Sequence, residues 1–503
     1  MSPGLFLSID VGTGSARAAL VDGAGRIQHI ASREHDQVVP AFGWSEQRAD
    51  DWWHGVVASI RATLEAVPDA QGRIAAVCAC GQMHGTVLVD SDGELAREAV
   101  PLWNDKRTAD LVAAFERAND ISDYLAESGN PPTPAWPGFK LQWLRDNDPK
   151  AYGAAAAVLM PKDFINLRLT GEVATDWTEA SCSFLMNPLT RDWSRPMIER
   201  LGIEPAMLPA IRSPGEILGG VTASAARETG LAEGTPVLVG AGDFPAALFG
   251  SGACRPGLGS DVTGTSSIIT GIVAEPMIDP VVCNVATVEG NWGAFVLLES
   301  GGDAMRWARR AFHENSLDYG QIVAKAAEAP AGAGALFFLP YLTGERFGAH
   351  RNSRAQFFGI AANHGLAHLH RAVMEGVAFA VAAQIRSMEA ASGLHIERVV
   401  ASGGGARAPL WLKIKSSIYG IPIVVPEEPE CGVVGCAALA ATAVGRFSTL
   451  DEAAAALVRH SDEIAPDPAW AETYSRMQPL FDRLYAGSQQ FYDDLDRINT
   501  PTS

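Results

Sequence analysis

Along its first eighty residues the chain alternates short apolar runs with turn residues. Leu5–Asp10 (LFLSID) is a short apolar run ending in an acid, the pattern of a buried strand. Val11–Ser15 (VGTGS) is a turn, and Ala16–Val21 returns as a second strand. Asp22–Gly25 (DGAG) marks another turn, and Arg26–His35 alternates like a third strand. Asp50–Val67 has apolar positions at helical spacing, and Arg73–Cys80 reads as a strand again. Three hairpin-connected strands, a helix and a further strand predict a mixed α/β sheet, not a simple βαβ array.

The opening recurs. Asp10–Ser15 reads DVGTGS and Asp261–Ser266 reads DVTGTS, and Ile268–Val273 again supplies a returning apolar strand. The two copies lie about 250 residues apart in a chain of 503. Two duplicated α/β domains facing each other follow, with the crossing near Ala241–Gly257, where Gly and Pro cluster. Beyond Arg446 the pattern is Ala-rich and amphipathic and ends in DDLDRINTPTS. That predicts helices on the second domain followed by a frayed tail.

Composition narrows the classes. Hydrophobic residues make up 47% and charged residues 19%, a globular balance. The net charge of −19 and the lack of a Lys/Arg block argue against nucleic acid or anionic membrane as a partner. Seven scattered cysteines fit reduced thiols in the cytosol better than a disulfide framework. No run reaches membrane-spanning length, and MSPGLFLSID lacks the basic start of a signal peptide. A soluble cytoplasmic protein is the expectation.

Several motifs carry candidate chemistry. In DVGTGSAR (Asp10–Arg17) a Gly-rich turn exposes backbone N–H groups, and Thr13 and Ser15 add hydroxyl donors. Asp10 could face a metal ion on bound phosphates, or the segment could be a plain hairpin turn. DVTGTSS offers the same donors, and the pair suggests two jaws around a polyphosphate. In GAGDFPAAL, Asp243 precedes Pro245, which fits a helix N-cap or a general base between the halves. In ERVVASGGGARAPLW, Gly403, Gly405 and Ala408 satisfy G-x-G-x-x-A, so a dinucleotide site, an adenosine slot and close helix–strand packing all stay open. His84 in GQMHG is a substrate ligand or a structural loop residue. Cys78 and Cys80 share one strand face without a second pair at zinc spacing. GWSEQ (43–47) and PLWNDKRT (101–108) are polar-aromatic loops suited to a sugar face or to plain surface. P-loop, zincin and hydrolase-elbow motifs are missing.

The chain resembles the FGGY family of carbohydrate kinases over nearly its whole length. Pro137–Asn147 (PGFKLQWLRDN) matches one family signature, apart from Ala135 just before it, and Ala355–Gly376 matches the other throughout. Within the family it is most similar to the xylulokinase group, through GWSEQ, GQMHG, LWNDKRT, Pro161–Asp176 and SGGGARAPLW. The resemblance implies an α/β fold of two actin/hexokinase-like, ribonuclease H-type domains with ATP and sugar in the interdomain cleft. It implies a sugar-binding domain over 1–244, a nucleotide-binding domain over 245–445, and helices with a tail over 446–503. It makes Asp243 the catalytic base, with Asp10 and Asp243 near Mg²⁺. Gly12, Thr13, Gly14, Ser15 and Arg17, with Gly264, Thr265 and Ser266, would line the phosphates. Gly403, Gly404, Gly405, Ala406 and Arg407 would flank adenosine. Met83, His84, Trp103, Asn104, Asp105, Asp243 and Phe244 are expected around the sugar, and a homodimer is the implied assembly.

One residue departs. Phe244 stands where xylulokinases carry Asn, and a phenyl ring cannot bond a sugar hydroxyl. Xylulose stays the first expectation from the resemblance, and this departure brings in ribulose and ribitol as alternatives. From other classes, a nicotinamide-dependent oxidoreductase and a non-catalytic nucleotide-gated sensor remain.

Overall fold

The computed structural model of the protein describes residues 4–345 and 351–499. The first half is built on β1 (Leu5–Val11), β2 (Ser15–Asp22), β3 (Ile27–Glu34), β4 (Ile74–Gly81), β5 (Ile217–Gly220), β6 (Pro236–Leu238) and β7 (Ala241–Gly242). They form one sheet in the order β5-β6-β4-β1-β2-β3, with β7 also paired to β4. The second half uses β8 (Leu258–Thr263), β9 (Ser267–Val273), β10 (Cys283–Ala286), β11 (Trp292–Leu298), β12 (Arg398–Ser402) and β13 (Ile423–Val424). Their order is β10-β11-β9-β8-β12-β13.

The repeat is topological as well as sequential. In the first sheet β1 is antiparallel to β2 and parallel to β4. In the second, β8 is antiparallel to β9 and parallel to β12. The DVGTGS and DVTGTS segments fall at the same place in each sheet, where the first strand turns into its hairpin partner. This is the duplicated ribonuclease H-type arrangement.

The helices that position the site are α1 (Ala49–Ala66), α2 (Pro137–Asn147), α3 (Pro161–Thr170), α4 (Trp177–Ser181), α5 (Asp243–Gly250), α6 (Gly302–His313), α7 (Leu366–Ser392), α8 (Pro409–Tyr419), α9 (Cys431–Ala443), α10 (Leu450–Leu457) and α11 (Pro468–Asn499). No described helix is long and apolar enough to cross a membrane. All of β1 is buried, because both faces of its sheet are covered. Leu5, Leu7, Ile9 and Val11 join a core with Trp52, Val56 and Ile60 of α1. Phe6 faces the other way, toward Val433, Ala437 and Leu439 of α9. Strand alternation therefore puts Ser8 and Asp10 on the α9 side, and Ser8 Oγ donates to Val433 O at 2.8 Å. Cys78 and Cys80 lie on that same face of β4 against Cys436.

Between the two halves, α5 and α9 touch backbone to backbone. A Cβ on Gly250 would lie 1.8 Å from Cys431 O, and one on Gly435 would lie 2.1 Å from Ala246 O. Both positions demand glycine for space, not for an unusual φ.

α10 packs on α9 of the second half and also bridges to the first, where Ala453, Ala454 and Leu457 join the Phe6–Val21 face of its sheet. Arg446 adds to this bridge by donating to Gly23 O at 2.9 Å. One expectation for the C-terminal segment is corrected: the DDLDRIN run is not frayed. It continues α11, where Asn352 bonds Asp493 at 2.7 Å, Arg354 pairs with Asp496 and Tyr492 Oη donates to Arg354 O. The closing residues 500–503, like Met1–Pro3, lie outside the described residues.

Gly435→Ala should lower the urea midpoint by about 1–3 kcal/mol equivalent, because its methyl meets a carbonyl instead of a movable side chain. Gly487→Ala on α11, with no atom near its Cβ, is the matched control and should be neutral or stabilising. Equal midpoints for the two variants would show that the α5–α9 contact is not tight.

Candidate active site

Asp10 is the penultimate residue of β1, and β1 and β4 are in register at Asp10↔Cys80. β7 pairs β4 at Ala241↔Cys80 and Gly242↔Gly81, so Asp243, the first residue of α5, begins beside Asp10. Both acids thus stand near the carboxyl ends of the two strands that flank β4.

Arg17 of β2 lies across from Asp10 in register and pairs with its Oδ2; the same guanidinium pairs with Glu430 just before α9. Asp10 Oδ1 is buried and unbonded. Burial raises the Asp10 carboxyl above its usual range, opposed by Arg17 and reinforced by Glu430. Asp243 is half-buried, and its Oδ1 accepts from Phe244 N at 2.7 Å. Burial, then the neighbouring Asp10, push Asp243 up to about 7. Gly242, not Asp243, occupies the N-cap position of α5.

The equivalent acid of the second half is in a different state. Asp261 is buried and bonded to Lys415 Nζ at 2.8 Å, Tyr419 Oη at 2.9 Å and Thr263 Oγ1 at 2.7 Å. Its charge is balanced internally. The duplicated acids have diverged, and only Asp10 keeps a bare oxygen.

The Gly-rich loops differ from ordinary hairpin turns in what braces them. Gly12 O is met by His35 Nε2 at 2.9 Å, Thr13 O by Gln47 Nε2 at 2.6 Å, and Thr13 Oγ1 by Trp103 Nε1 at 3.0 Å. A Cβ on Gly14 would meet open space. Ser15 opens β2 and faces the same turn. In the other loop Gly264 is equally open, Gly264 O accepts from Gly302 N, and Thr265 Oγ1 accepts from Arg306 at 3.2 Å. Ser266 backs onto Gly301, where a Cβ would lie 2.6 Å from its carbonyl carbon. Gly403 has φ 77, and side chains at Gly403 and Gly405 would collide with Thr263 at 2.7 and 2.8 Å. Close packing therefore accounts for the G-x-G-x-x-A spacing. It also brings Gly404, Ala406 and Arg407 alongside the Gly264 loop.

The residues expected around the sugar separate. Met83 packs on Gly242, directly before Asp243. His84 has φ 66, sits edge-on to Trp136 at 5.0 Å, and its carbonyl accepts from Lys140 Nζ at 2.7 Å. Asn104 is half-buried with an unbonded Oδ1. Asp105 is instead engaged structurally, accepting from Ser45 N at 2.6 Å and pairing with Arg107 at 2.7 Å. Phe244 is half-buried with its ring edge-on to Phe295 at 5.7 Å.

Sequence reasoning missed the supporting residues. Lys140 is fully buried, and burial lowers its amine to about 7. Its one sequence signal is a lysine inside the apolar run PGFKLQW. Gln47 lies in the GWSEQ loop already singled out, whereas Glu430 and Lys415 carry no comparable signal. A surface depression of about 560 Å³ lined by Val273–Asp279 and Ala391–Leu394 contains none of the candidate residues.

The N-terminal domain of the FGGY family of carbohydrate kinases matches residues 5–250, and its C-terminal domain matches residues 260–444. The chain belongs to the FGGY family of carbohydrate kinases. It is an ATP-dependent sugar kinase, which removes the oxidoreductase and sensor readings. It is 28% identical to the xylulose kinase of Bacillus subtilis (strain 168) over 486 residues, covering 95% of this chain and 96% of that one. It is also 28% identical to the autoinducer-2 kinase of Enterobacter sp. (strain 638), covering 96% and 94%. The crystal structure of xylulose kinase from Rhodospirillum rubrum superposes with a TM-score of 0.91 at 30% identity, covering 97% and 99%.

The raised pKa of Asp243 gives this kinase a measurable pH signature. Its folded value of about 7 exceeds the ordinary 3.8. Between those values the folded state holds a proton that the unfolded chain has lost, so this group's contribution to stability is full below about pH 4 and lost as pH rises through 7. Asp243→Asn should therefore raise the melting temperature at pH 8 and leave it nearly unchanged at pH 4. Equal shifts at both pH values would remove the electrostatic account.

Proposed function

We propose that this kinase transfers the γ-phosphoryl group of ATP to a terminal hydroxyl of a ketopentose, xylulose first, with Asp243 as general base. The observation that carries the reading is the pair of neighbouring carboxylates at the strand ends, one with a bare oxygen and one held near pH 7. A base poised near the operating pH takes the hydroxyl proton as that oxygen attacks phosphorus, and ADP leaves. Burial raises the Asp243 pKa and the neighbouring Asp10 adds to it, against a smaller lowering by Arg17.

Mg²⁺ fits the donor set. The bare Asp10 Oδ1 and the Asp243 carboxylate are hard oxygen ligands, with phosphate oxygens and water completing such a shell. Bound there, the ion would neutralise charge developing on the phosphates. Arg17 adds a fixed positive charge, and the open backbone at Gly14 and Gly264 offers N–H donors without side-chain obstruction. Met83, His84, Trp103 and Asn104 are assigned to the sugar side, and Gly403–Arg407 to the adenosine side.

A second reading, another sugar or polyol such as ribulose or ribitol, is favoured by Phe244. Its ring replaces a hydrogen-bonding partner with apolar bulk.

Coupled ADP release over ketopentoses, pentitols and ketohexoses tests the assignment. A ketopentose should rank first, and Asp243→Ala should lower turnover by about 10²–10⁴-fold while ATP affinity holds. Wild-type turnover in Asp243→Ala would leave Asp243 a structural residue.

Phe244→Asn should improve the efficiency for D-xylulose relative to the other sugars by about 0.5–1.5 kcal/mol, the worth of one net hydrogen bond. An unchanged ranking with a lowered melting temperature would place the ring's role in packing against Phe295.

A further inference from the structure

Asp243 is delivered to the site by very little sheet. β7 has two residues, and Gly240 just before it has φ 74, with room for no Cβ because Ala79 O would lie 2.0 Å away. Side chains from two helices do the holding. From α3, Lys162 Nζ donates to Val239 O at 3.1 Å and Asn166 Nδ2 donates to the same oxygen at 2.7 Å. From α4, Thr178 Oγ1 accepts from Gly242 N at 2.9 Å.

That last bond has a fixed direction. Asp176 Oδ1 accepts from Thr178 N at 2.7 Å and also from the Thr178 hydroxyl. The Gly242 N–H can only donate, so Thr178 Oγ1 offers it a lone pair and the single hydroxyl proton goes to Asp176. Asp176 is held in turn by Lys162 at 2.7 Å, and Lys162 also pairs with Asp163. All three charged side chains are wholly buried.

A buried ionic cluster is weak evidence for stability, since well-packed apolar residues of similar volume often serve as well. What apolar residues cannot do is set the direction of a bond to the peptide preceding the base. We propose that Lys162, Asp176 and Thr178 form a positioning chain that fixes the Gly242–Asp243 peptide, so that the Asp243 carboxylate enters the site in one orientation. The proposal rests on Asp243 being the base.

Thr178→Val keeps the shape and removes the acceptor, Thr178→Ala removes it without steric risk, and Thr178→Ser keeps it. Sugar-dependent ADP release of the full chain, with melting temperatures, is measured for all three beside Asp243→Asn. Small displacements of a catalytic group are costly, so Val and Ala should lower kcat roughly 10–100-fold. The KM for ATP should stay unchanged, and Ser should retain most of the wild-type kcat. Wild-type kcat in Val and Ala, with Asp243→Asn inactive, overturns the positioning chain alone. Full activity in Asp243→Asn overturns the base and the chain together. Loss in Val, Ala and Ser alike, in step with melting temperature, assigns Thr178 to stability and overturns the proposal.

Discussion

The arrangement depends on two helix backbones being allowed to touch. Glycine in a helix interior costs about 1 kcal/mol relative to alanine. α9 accepts that cost at Gly435, and α5 ends on glycine at Gly250, so that the pair can cross with no side chain between them. The crossing fixes where α5 lies, and α5 begins with Asp243. It also buries the α9 face of the first sheet, which is the face that carries Asp10 and Cys80. Without that contact the two acids would be less desolvated, and Asp10 would have less effect on the Asp243 pKa.

Electrostatics then separate two copies of one motif. Asp10 and Asp261 lie near the ends of equivalent strands, precede similar loops and are both buried. Asp261 is surrounded by lysine, tyrosine and threonine donors and is closed to further ligands. Asp10 shares its arginine with Glu430 and retains an unbonded oxygen. A duplicated fold thus supplies one acid that holds the second half together and one that is available for chemistry. The same distinction separates Asp105, engaged by Arg107 and Ser45, from Asn104 beside it.

Much of this was legible along the chain. The first three strands, α1 and β4 were expected within a residue or two of their bounds, since strand and helix periods follow from backbone geometry and need no partner to be read. The recurrence of DVGTGS as DVTGTS gave the duplication, and the glycines gave the loops. The tail misled for a physical reason: DDLDRIN is polar enough to fray alone, but Asn352, Arg354 and Tyr492 supply partners far away in sequence.

The sequence by itself determined the elements, the repeat, the family and which residue types stand at the strand ends, because all of these are encoded locally. Only the tertiary structure decided which acid is bare and which is balanced. It also decided that Gly403 and Gly405 serve close packing, that Lys140 braces the His84 carbonyl, and that Thr178 reaches Gly242. Those outcomes depend on burial and on pairings across tens to hundreds of residues, and the same aspartate changes its chemistry with the charge and solvent around it.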